Sequence, residues 1–303
     1  MHGILPLWKE KGMTSHDCVF KVRKILHTKK VGHTGTLDPT VEGVLPICIG
    51  NATRLAEYLT NAGKTYEAVI EIGVSTTTED AEGEIVEEDL SEKQISHNEL
   101  LQALQSLTGT INQTPPMYSA VKVNGKKLYE YARRGETVER PTRQVTIYEL
   151  ELLDHSTEYK GEKIRFSVRI SCSKGTYIRT LAVQIGEALG YPAHMASLVR
   201  IKSGTFTKDD CVTLSELQEK VDAGLLQECM KPLEFALYEY PQIELTESIE
   251  KAIKNGQVLL MHPALNKNDK IVYMKGNSAV AVYIKHPEKE GFMKPEKMFP
   301  NVD

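Results

Sequence analysis

The sequence predicts an α+β fold: a mixed, largely antiparallel sheet with flanking helices, followed by a small β-rich C-terminal unit. Three observations carry this. Strand-like alternation recurs, at 66–74 and most clearly at 164–172, where Ile164, Phe166, Val168 and Ile170 alternate with Arg165, Ser167, Arg169 and Ser171. Helical stretches fall between the strands without a steady βαβ rhythm, which argues against a doubly wound parallel sheet. After about residue 235 the texture changes to one short helix, 245–255, ending at Gly256, and small strands near 271–274 and 279–284. A chain of 303 residues accommodates one large and one small domain, here divided into 1–238 and 239–303.

Taken in order, Thr14 or Ser15 can cap a helix with Asp17 in its first turn. Val19, Val22, Ile25 and Leu26 then share one face, with Lys21, Arg23 and Lys24 pointing elsewhere. Residues 43–49 read as a short buried strand and 52–59 as a helix. The strand at 66–74 leads into the run Glu79-Asp80-Ala81-Glu82-Gly83-Glu84, which reads as a solvated hairpin tip and does not fit an EF-hand calcium loop. A helix at 98–107 ends near Gly109, and Gln113-Thr114-Pro115-Pro116 forms a rigid connector. Asn124-Gly125, between 118–123 and 126–129, signals a hairpin. Strands at 140–153 and 164–172 follow. Ser173-Lys174-Gly175-Thr176 is a turn, and 177–189 is a helix closed by Gly190 and Pro192.

Hydrophobic residues at 41% and charged residues at 26% exclude a disordered or fibrous chain. No apolar run reaches bilayer length, and residues 1–12 do not form a secretory signal, so the cytoplasm is the expected location. Cys18, Cys48, Cys172, Cys211 and Cys229 stand far apart, which speaks for reduced thiols rather than disulfides or a zinc site; the histidines show no metal-ligand spacing either. The net charge of −4 hides a segregation. Residues 79–92 hold eight carboxylates and no Lys or Arg, while 1–40 and 121–145 each hold seven bases against three acids, and 160–180 six against one. Such a pattern can give an acidic protein a positive face for a phosphate backbone. It is equally the pattern of ordinary solvated surfaces.

The stretch VGHTGTLDPT, 31–40, concentrates the chemistry. Read as a loop, Gly32 and Gly35 supply unusual backbone angles and Asp38-Pro39 starts a turn. It contains neither a P-loop lysine nor a nucleophile-elbow serine. Read as a site, Asp38 is a carboxylate that a substrate can approach closely because its neighbours are small. It can act as a nucleophile if it stays ionised, which in a partly dry pocket requires a cation. Arg179, in Gly175-Thr176-Tyr177-Ile178-Arg179-Thr180, is a candidate.

Five segments, KKVGHTGTLDP, GVLPICIGNATR, KTYEAVIEIG, SKGTYIRTLA and AHMASLVRIKSG, occur in this order and closely resemble the bacterial tRNA pseudouridine synthase B (TruB) family over most of 1–240. The tail resembles the small PUA RNA-binding domain that often ends these enzymes. The resemblance implies conversion of uridine 55 in the tRNA T loop to pseudouridine: the C1′–N1 bond breaks, the uracil turns, and it rejoins through C5. This isomerisation needs no cofactor and no metal. Asp38 would be the essential aspartate, attacking C6, adding at C1′ or removing the 2′ proton. The target base must leave its stack. By position His33 would sit at the displaced stack. Tyr66 would stack on the flipped uracil near C5. Arg179 would pair with Asp38, Tyr177 and Leu198 would line the uridine pocket, and Arg54 would help hold Asp38 or a phosphate. Basic residues within 20–30, 122–143 and 160–174 would track the RNA backbone. The implied partner is the tRNA T-arm stem-loop, with no membrane, no obligatory protein partner and a monomeric chain.

One departure stands out. The family's Asp-Lys-Pro-x-Gly signature is here Trp8-Lys9-Glu10-Lys11-Gly12, which keeps Lys9 and is expected to brace the active-site loop. Two other classes compete. A non-catalytic RNA-binding or tRNA-folding module would leave Asp38, Tyr66 and Arg179 without purpose. A metal-dependent nuclease would have to cluster Asp38 with Glu79, Asp80 and Glu82.

Overall fold

Residues 1–299 are described by a computed structural model. The chain begins with β1 (Gly3–Lys9), α1 (Ser15–Ile25), β2 (Val31–His33), β3 (Glu42–Ile49), α2 (Ala56–Asn61), β4 (Lys64–Ile72), β5 (Val74–Thr76) and β6 (Ile85–Glu88). It continues through β7 (Lys93–Ser96), α3 (His97–Ser106), β8 (Gly109–Gln113), β9 (Lys122–Val123), β10 (Lys126–Lys127), α4 (Leu128–Ala132), β11 (Arg143–Leu152) and β12 (Glu158–Gly161). Then come β13 (Ile164–Cys172), α5 (Ile178–Leu189), β14 (Ala193–Ser203), β15 (Phe206–Thr207) and α6 (Leu214–Asp222). The C-terminal unit holds β16 (Gln242–Glu244), α7 (Glu247–Lys254), β17 (Leu259–Leu260), β18 (Lys270–Lys275), β19 (Ser278–Lys285) and β20 (Phe292–Met298).

The main sheet runs β1-β3-β14-β4-β13-β11-β8, with β2 beside β3 and β15 beside β14. Its one parallel pairing joins β14 to β3, so the sheet is mixed and largely antiparallel, as predicted. Period-two alternation decides which face each residue takes. On β4, Tyr66, Ala68 and Ile70 bury against Ile178, Leu181, Ala182 and Ile185 of α5. Glu67 and Glu71 take the opposite face and meet Arg169 and Arg165 of β13. A second core packs α1 and α6 on one side of β1 and β3, through Val19, Val22, Leu45, Ile47 and Leu217.

A third core explains how the short C-terminal unit holds. Its sheet, β16-β18-β19-β20-β17, places Val272, Met274, Ala279 and Val282 against Ile4, Val44, Ala52 and Leu55 of the larger unit. A unit of this size is marginal alone, and the shared cluster enlarges the core it folds on.

The local signals mostly hold. Thr14, not Ser15, caps α1, in a reciprocal capping box with Asp17. Asn124 and Gly125 both take positive φ, 52° and 81°, as a type I′ turn requires, but the hairpin is short and 128–132 is helical. The stretch 52–59 divides into a 3₁₀ turn, Gly50–Leu55, and α2. At Gly43, φ is +132° and an added Cβ would lie 2.3 Å from the Arg200 carbonyl oxygen. Only glycine lets β3 and β14 lie this close.

Gly43→Ala is therefore expected to destabilise the protein by about 3 kcal/mol or more. Gly32→Ala, which meets nothing within 4 Å, should change stability by less than about 1 kcal/mol. Urea unfolding of both variants checks this, and equal midpoints would contradict it.

Candidate active site

The loop between β2 and β3 is fixed almost atom by atom. Thr34 is fully buried and donates to the Pro46 carbonyl from its amide at 3.2 Å and its hydroxyl at 3.0 Å. The Leu37 amide donates to Ser15 Oγ at 2.8 Å, and that hydroxyl lies 3.2 Å from the Leu37 carbonyl. Asp38 opens a turn closed by the Val41 amide at 3.1 Å, with Pro39 at its second position. Gly35 has φ +135°, whereas Gly32 lies in β2 without positive φ, so the expectation of unusual angles at both glycines holds for Gly35 alone.

Lys9 braces this loop as expected. It is fully buried, and its Nζ donates to the carbonyls of Val41 at 2.5 Å, Pro39 at 3.3 Å and Glu10 at 3.1 Å. The Gly12 amide adds a bond to Pro39 at 2.8 Å. Burial pulls the Lys9 amine below its ordinary value, while the Asp38 and Glu42 charges act the other way.

Arg179, in the first turn of α5, supplies the cation. Its Nη2 lies 3.1 Å from Asp38 Oδ2 and donates to the Tyr118 carbonyl at 2.9 Å. Its Nη1 donates to the Thr78 carbonyl at 3.0 Å and stands 3.7 Å from Asp80 Oδ2. Asp80 is itself buried and accepts from Thr78 Oγ1 at 2.5 Å and from the Glu82 amide at 3.1 Å. Glu79 accepts from Thr180 Oγ1 at 2.7 Å; burial pushes its carboxyl up, against that bond and the Arg179 charge. The acidic run is thus not simply a solvated tip: its first two carboxylates turn inward onto α5. Among the described residues no three His, Cys, Asp or Glu side chains gather to hold a metal, and Arg179 stands between Asp38 and Asp80.

A cavity of about 440 Å³ opens beside Asp38. Five of the seven expected site residues line it: Asp38, Tyr66, Tyr177, Arg179 and Leu198. The Asp38 side chain, 41% exposed, lies at the mouth, whereas Tyr66 is buried. Tyr177 is set by Gln113 at the end of β8. Gln113 Oε1 accepts from the Tyr177 amide at 2.9 Å and Nε2 donates to its carbonyl at 3.2 Å. Burial raises both phenols, Tyr66 and Tyr177.

The other two lie elsewhere. His33 is not among the cavity residues; its Nδ1 accepts from the Gly35 amide at 3.3 Å on the flank of the loop, and burial together with Arg200 holds its pKa down. For Arg54 the expected hold on Asp38 is corrected; the alternative, a phosphate contact, is not. The side chain is exposed and donates to the Met298 carbonyl at 2.5 Å, away from Asp38, because its 3₁₀ turn packs under the C-terminal sheet.

Sequence reasoning missed Arg200, Lys64 and Gln113, and weighed Asp80 only as a metal ligand. The signal for Arg200 was its even spacing from Leu198, which puts a cation on the apolar face of a strand. Lys64 is buried, and its Nζ donates to the carbonyls of Thr60 at 2.5 Å, Ala62 at 2.7 Å and Leu59 at 3.3 Å at the end of α2. Burial, with Arg200 nearby, lowers it from 10.5 to about 8.

The basic stretches also divide. In 160–174, Arg165 pairs with Glu71, Arg169 with Glu67 and Glu151, Lys163 with Glu88 and Lys160 with Glu158. That stretch is largely neutralised, and its arginines face away from the cavity. Lys174 does line the cavity and donates to Asn61. By contrast Lys127 and Arg133 stack on Tyr129, itself a cavity residue, and Lys126 stacks on Tyr131. None of the three is ion-paired among the described residues.

An aspartate gripped by a buried arginine, at the mouth of a cavity with aromatic walls and a basic rim, is an arrangement that suits a catalytic domain acting on a nucleic-acid base. Residues 23–178 match the TruB family pseudouridylate synthase (N terminal domain), and residues 179–238 match the tRNA pseudouridylate synthase B C-terminal domain. The chain belongs to the TruB family of pseudouridylate synthases. It is 54% identical to tRNA pseudouridine synthase B of Geobacillus thermodenitrificans over 99% of this chain and 100% of that protein. It is 56% identical to tRNA pseudouridine synthase B of Listeria innocua over 98% of each. Among solved structures, it resembles a chain of a Cbf5-Nop10-Gar1 complex with TM-score 0.71 and 28% identity, over 98% of this chain and 84% of that one. An H/ACA RNP bound to a substrate RNA containing 2′-deoxyuridine gives TM-score 0.72 and 26% identity, over 99% and 86%.

Because its folded value lies below its ordinary one, Lys64 opposes folding while charged in both states, and that opposition fades as pH rises from about 8 to 10.5. NMR of labelled lysine side chains should show one amine titrating near 8 that disappears in Lys64→Met. Titration of every lysine above pH 10 would contradict this.

Proposed function

We propose that this chain is a tRNA pseudouridine synthase that isomerises uridine 55 of the T loop, with Asp38 as the acting carboxylate. The observation that carries the reading is the Asp38–Arg179 pair at 3.1 Å, set at the mouth of a cavity walled by Tyr66, Tyr177 and Leu198. The relatives named tRNA pseudouridine synthase B, similar along their whole length, support it.

The geometry suits the chemistry. A flipped base would enter between Tyr66 and Leu198, with its sugar left at the mouth beside Asp38. There the carboxylate can reach C1′ or the 2′ proton, and C6 lies just inside. Arg179 is held by two backbone carbonyls, so it orients the carboxylate with little reorganisation. Tyr66 supplies a stacking face and a buried hydroxyl near C5. His33, on the flank of the loop, would meet the gap left in the RNA stack. The lysines and arginine on Tyr129 and Tyr131 would track the backbone.

The first unit, 1–238, would carry the chemistry, and the PUA-like unit, 239–303, would add grip on the tRNA. The chain would act as a monomer, without an obligatory protein partner, in the cytoplasm. Among the described residues no helix is long and apolar enough to cross a membrane.

Tritium release from a T-arm RNA labelled at uridine C5 checks the reading. Wild type alone, in EDTA, should release tritium. Asp38→Asn should slow single-turnover release by about 10⁴-fold or more with RNA binding kept. Arg54→Ala should stay within about threefold of wild type on the same RNA. An active Asp38→Asn enzyme would overturn the assignment.

A further inference from the structure

The floor of the cavity carries more positive charge than its carboxylates balance. Arg200 is 1% exposed and stands directly across from Tyr66 in the β14–β4 register, so both side chains share the cavity face. Its Nε donates to the Val44 carbonyl at 2.7 Å and its Nη2 to the Gly35 carbonyl at 3.3 Å. Arg200 lines the cavity, and its charge acts on the Tyr66 phenol. Lys64, two residues before Tyr66 on the same face, also lines the cavity. Among the described residues no carboxylate lies within 4.0 Å of either cation, while Arg179 takes Asp38. Lys64 spends its donors on the Thr60, Ala62 and Leu59 carbonyls and Arg200 part of its own on Val44 and Gly35, so what stays unbalanced is charge, which an anion entering the cavity would offset.

The depth of the groups indicates which anion. Asp38 is at the mouth, and Arg200 and Lys64 are at the floor. A nucleotide entering base first leaves its phosphates outside and brings the pyrimidine edge to the floor. We propose that Arg200, backed by Lys64, is a catalytic residue that stabilises the uracil anion released when the C1′–N1 bond breaks; this rests on the functional reading above. In a route through a detached base, the bond pair leaves with N1 and spreads onto O2 and O4. C1′ is meanwhile taken by an Asp38 oxygen, or becomes part of a glycal after Asp38 accepts the 2′ proton. The anion turns, and C5 gives a pair to C1′ as the Asp38 ester opens or C2′ regains its proton. C5 then loses its proton and N1 gains one. No electron acceptor is needed, and the floor holds the charge while the ring is free.

The test varies how easily the base leaves. T-arm RNAs carrying uridine or 5-fluorouridine at the target are compared in single turnovers with wild type, Arg200→Met, Arg200→Lys and Lys64→Met. C1′–N1 cleavage is followed by quench and nucleoside analysis for uridine and by ¹⁹F NMR for the fluoro RNA. Fluorine acidifies the base, so its anion needs less help. With uridine, Arg200→Met should lose about 100-fold in rate, and Arg200→Lys and Lys64→Met less. With 5-fluorouridine these losses should shrink by about tenfold, and RNA Kd should stay within about threefold. Equal losses with both RNAs would assign Arg200 to positioning through Val44 and Gly35 and overturn the proposal. Losses in Kd with rates unchanged would mean a phosphate site and overturn it too. If Arg200→Met fails to fold, the Arg200→Lys and Lys64→Met series decides by the same pattern. Wild type inactive on uridine RNA would overturn the functional reading and this inference with it, whereas active wild type with unaffected variants would overturn the inference alone.

Discussion

One guanidinium organises the site. Arg179 joins four separate pieces of chain: its own helix, the loop carrying Asp38, the hairpin carrying Thr78 and Asp80, and the connector carrying Tyr118. A planar fork with fixed donors can do this where a lysine cannot, because each nitrogen meets partners in set directions. Burying such a charge is unfavourable unless its donors are filled, and here two carbonyls and two carboxylates surround it. The position of Asp38 is therefore a property of the assembled fold rather than of its own loop.

The remaining contacts serve that assembly. Gln113 clamps the backbone of Tyr177 and so fixes where α5 starts. Lys9 and Ser15 hold the Asp38 loop from beneath through its carbonyls and amides. Gly43 lets β14 pass close to β3, which brings Arg200 under the same loop. The C-terminal sheet bears on the larger unit through Arg54, Tyr58 and the shared apolar cluster, and none of its described residues lines the cavity.

What was legible in the sequence is what local chemistry dictates. The alternation of β13, the Thr14 cap and the Asn124-Gly125 turn each depend on residues within a few positions of one another. Asp38 and Arg179 could be named as partners, but their meeting depends on packing across 141 residues of chain. Tyr66, Tyr177 and Leu198, named from the family resemblance, line one cavity, whereas Arg54 does not reach Asp38, since docking of the C-terminal unit decides where that side chain goes. Charge counting failed for a related reason. The bases of 160–174 meet Glu67, Glu71 and Glu151 on neighbouring strands, which no reading of one stretch reveals. Arg200 and Lys64 were hidden because a buried cation in a strand looks like a surface residue until its face is known.

The fork of Arg179, not merely its charge, makes Asp38 competent. Replacing it with lysine keeps the charge and removes the fork. The single-turnover rate of Arg179→Lys on a T-arm RNA, measured beside its RNA affinity, tests this most directly. The rate should fall by about 100-fold or more with affinity within about threefold. A lysine variant that isomerises uridine at the wild-type rate would contradict it.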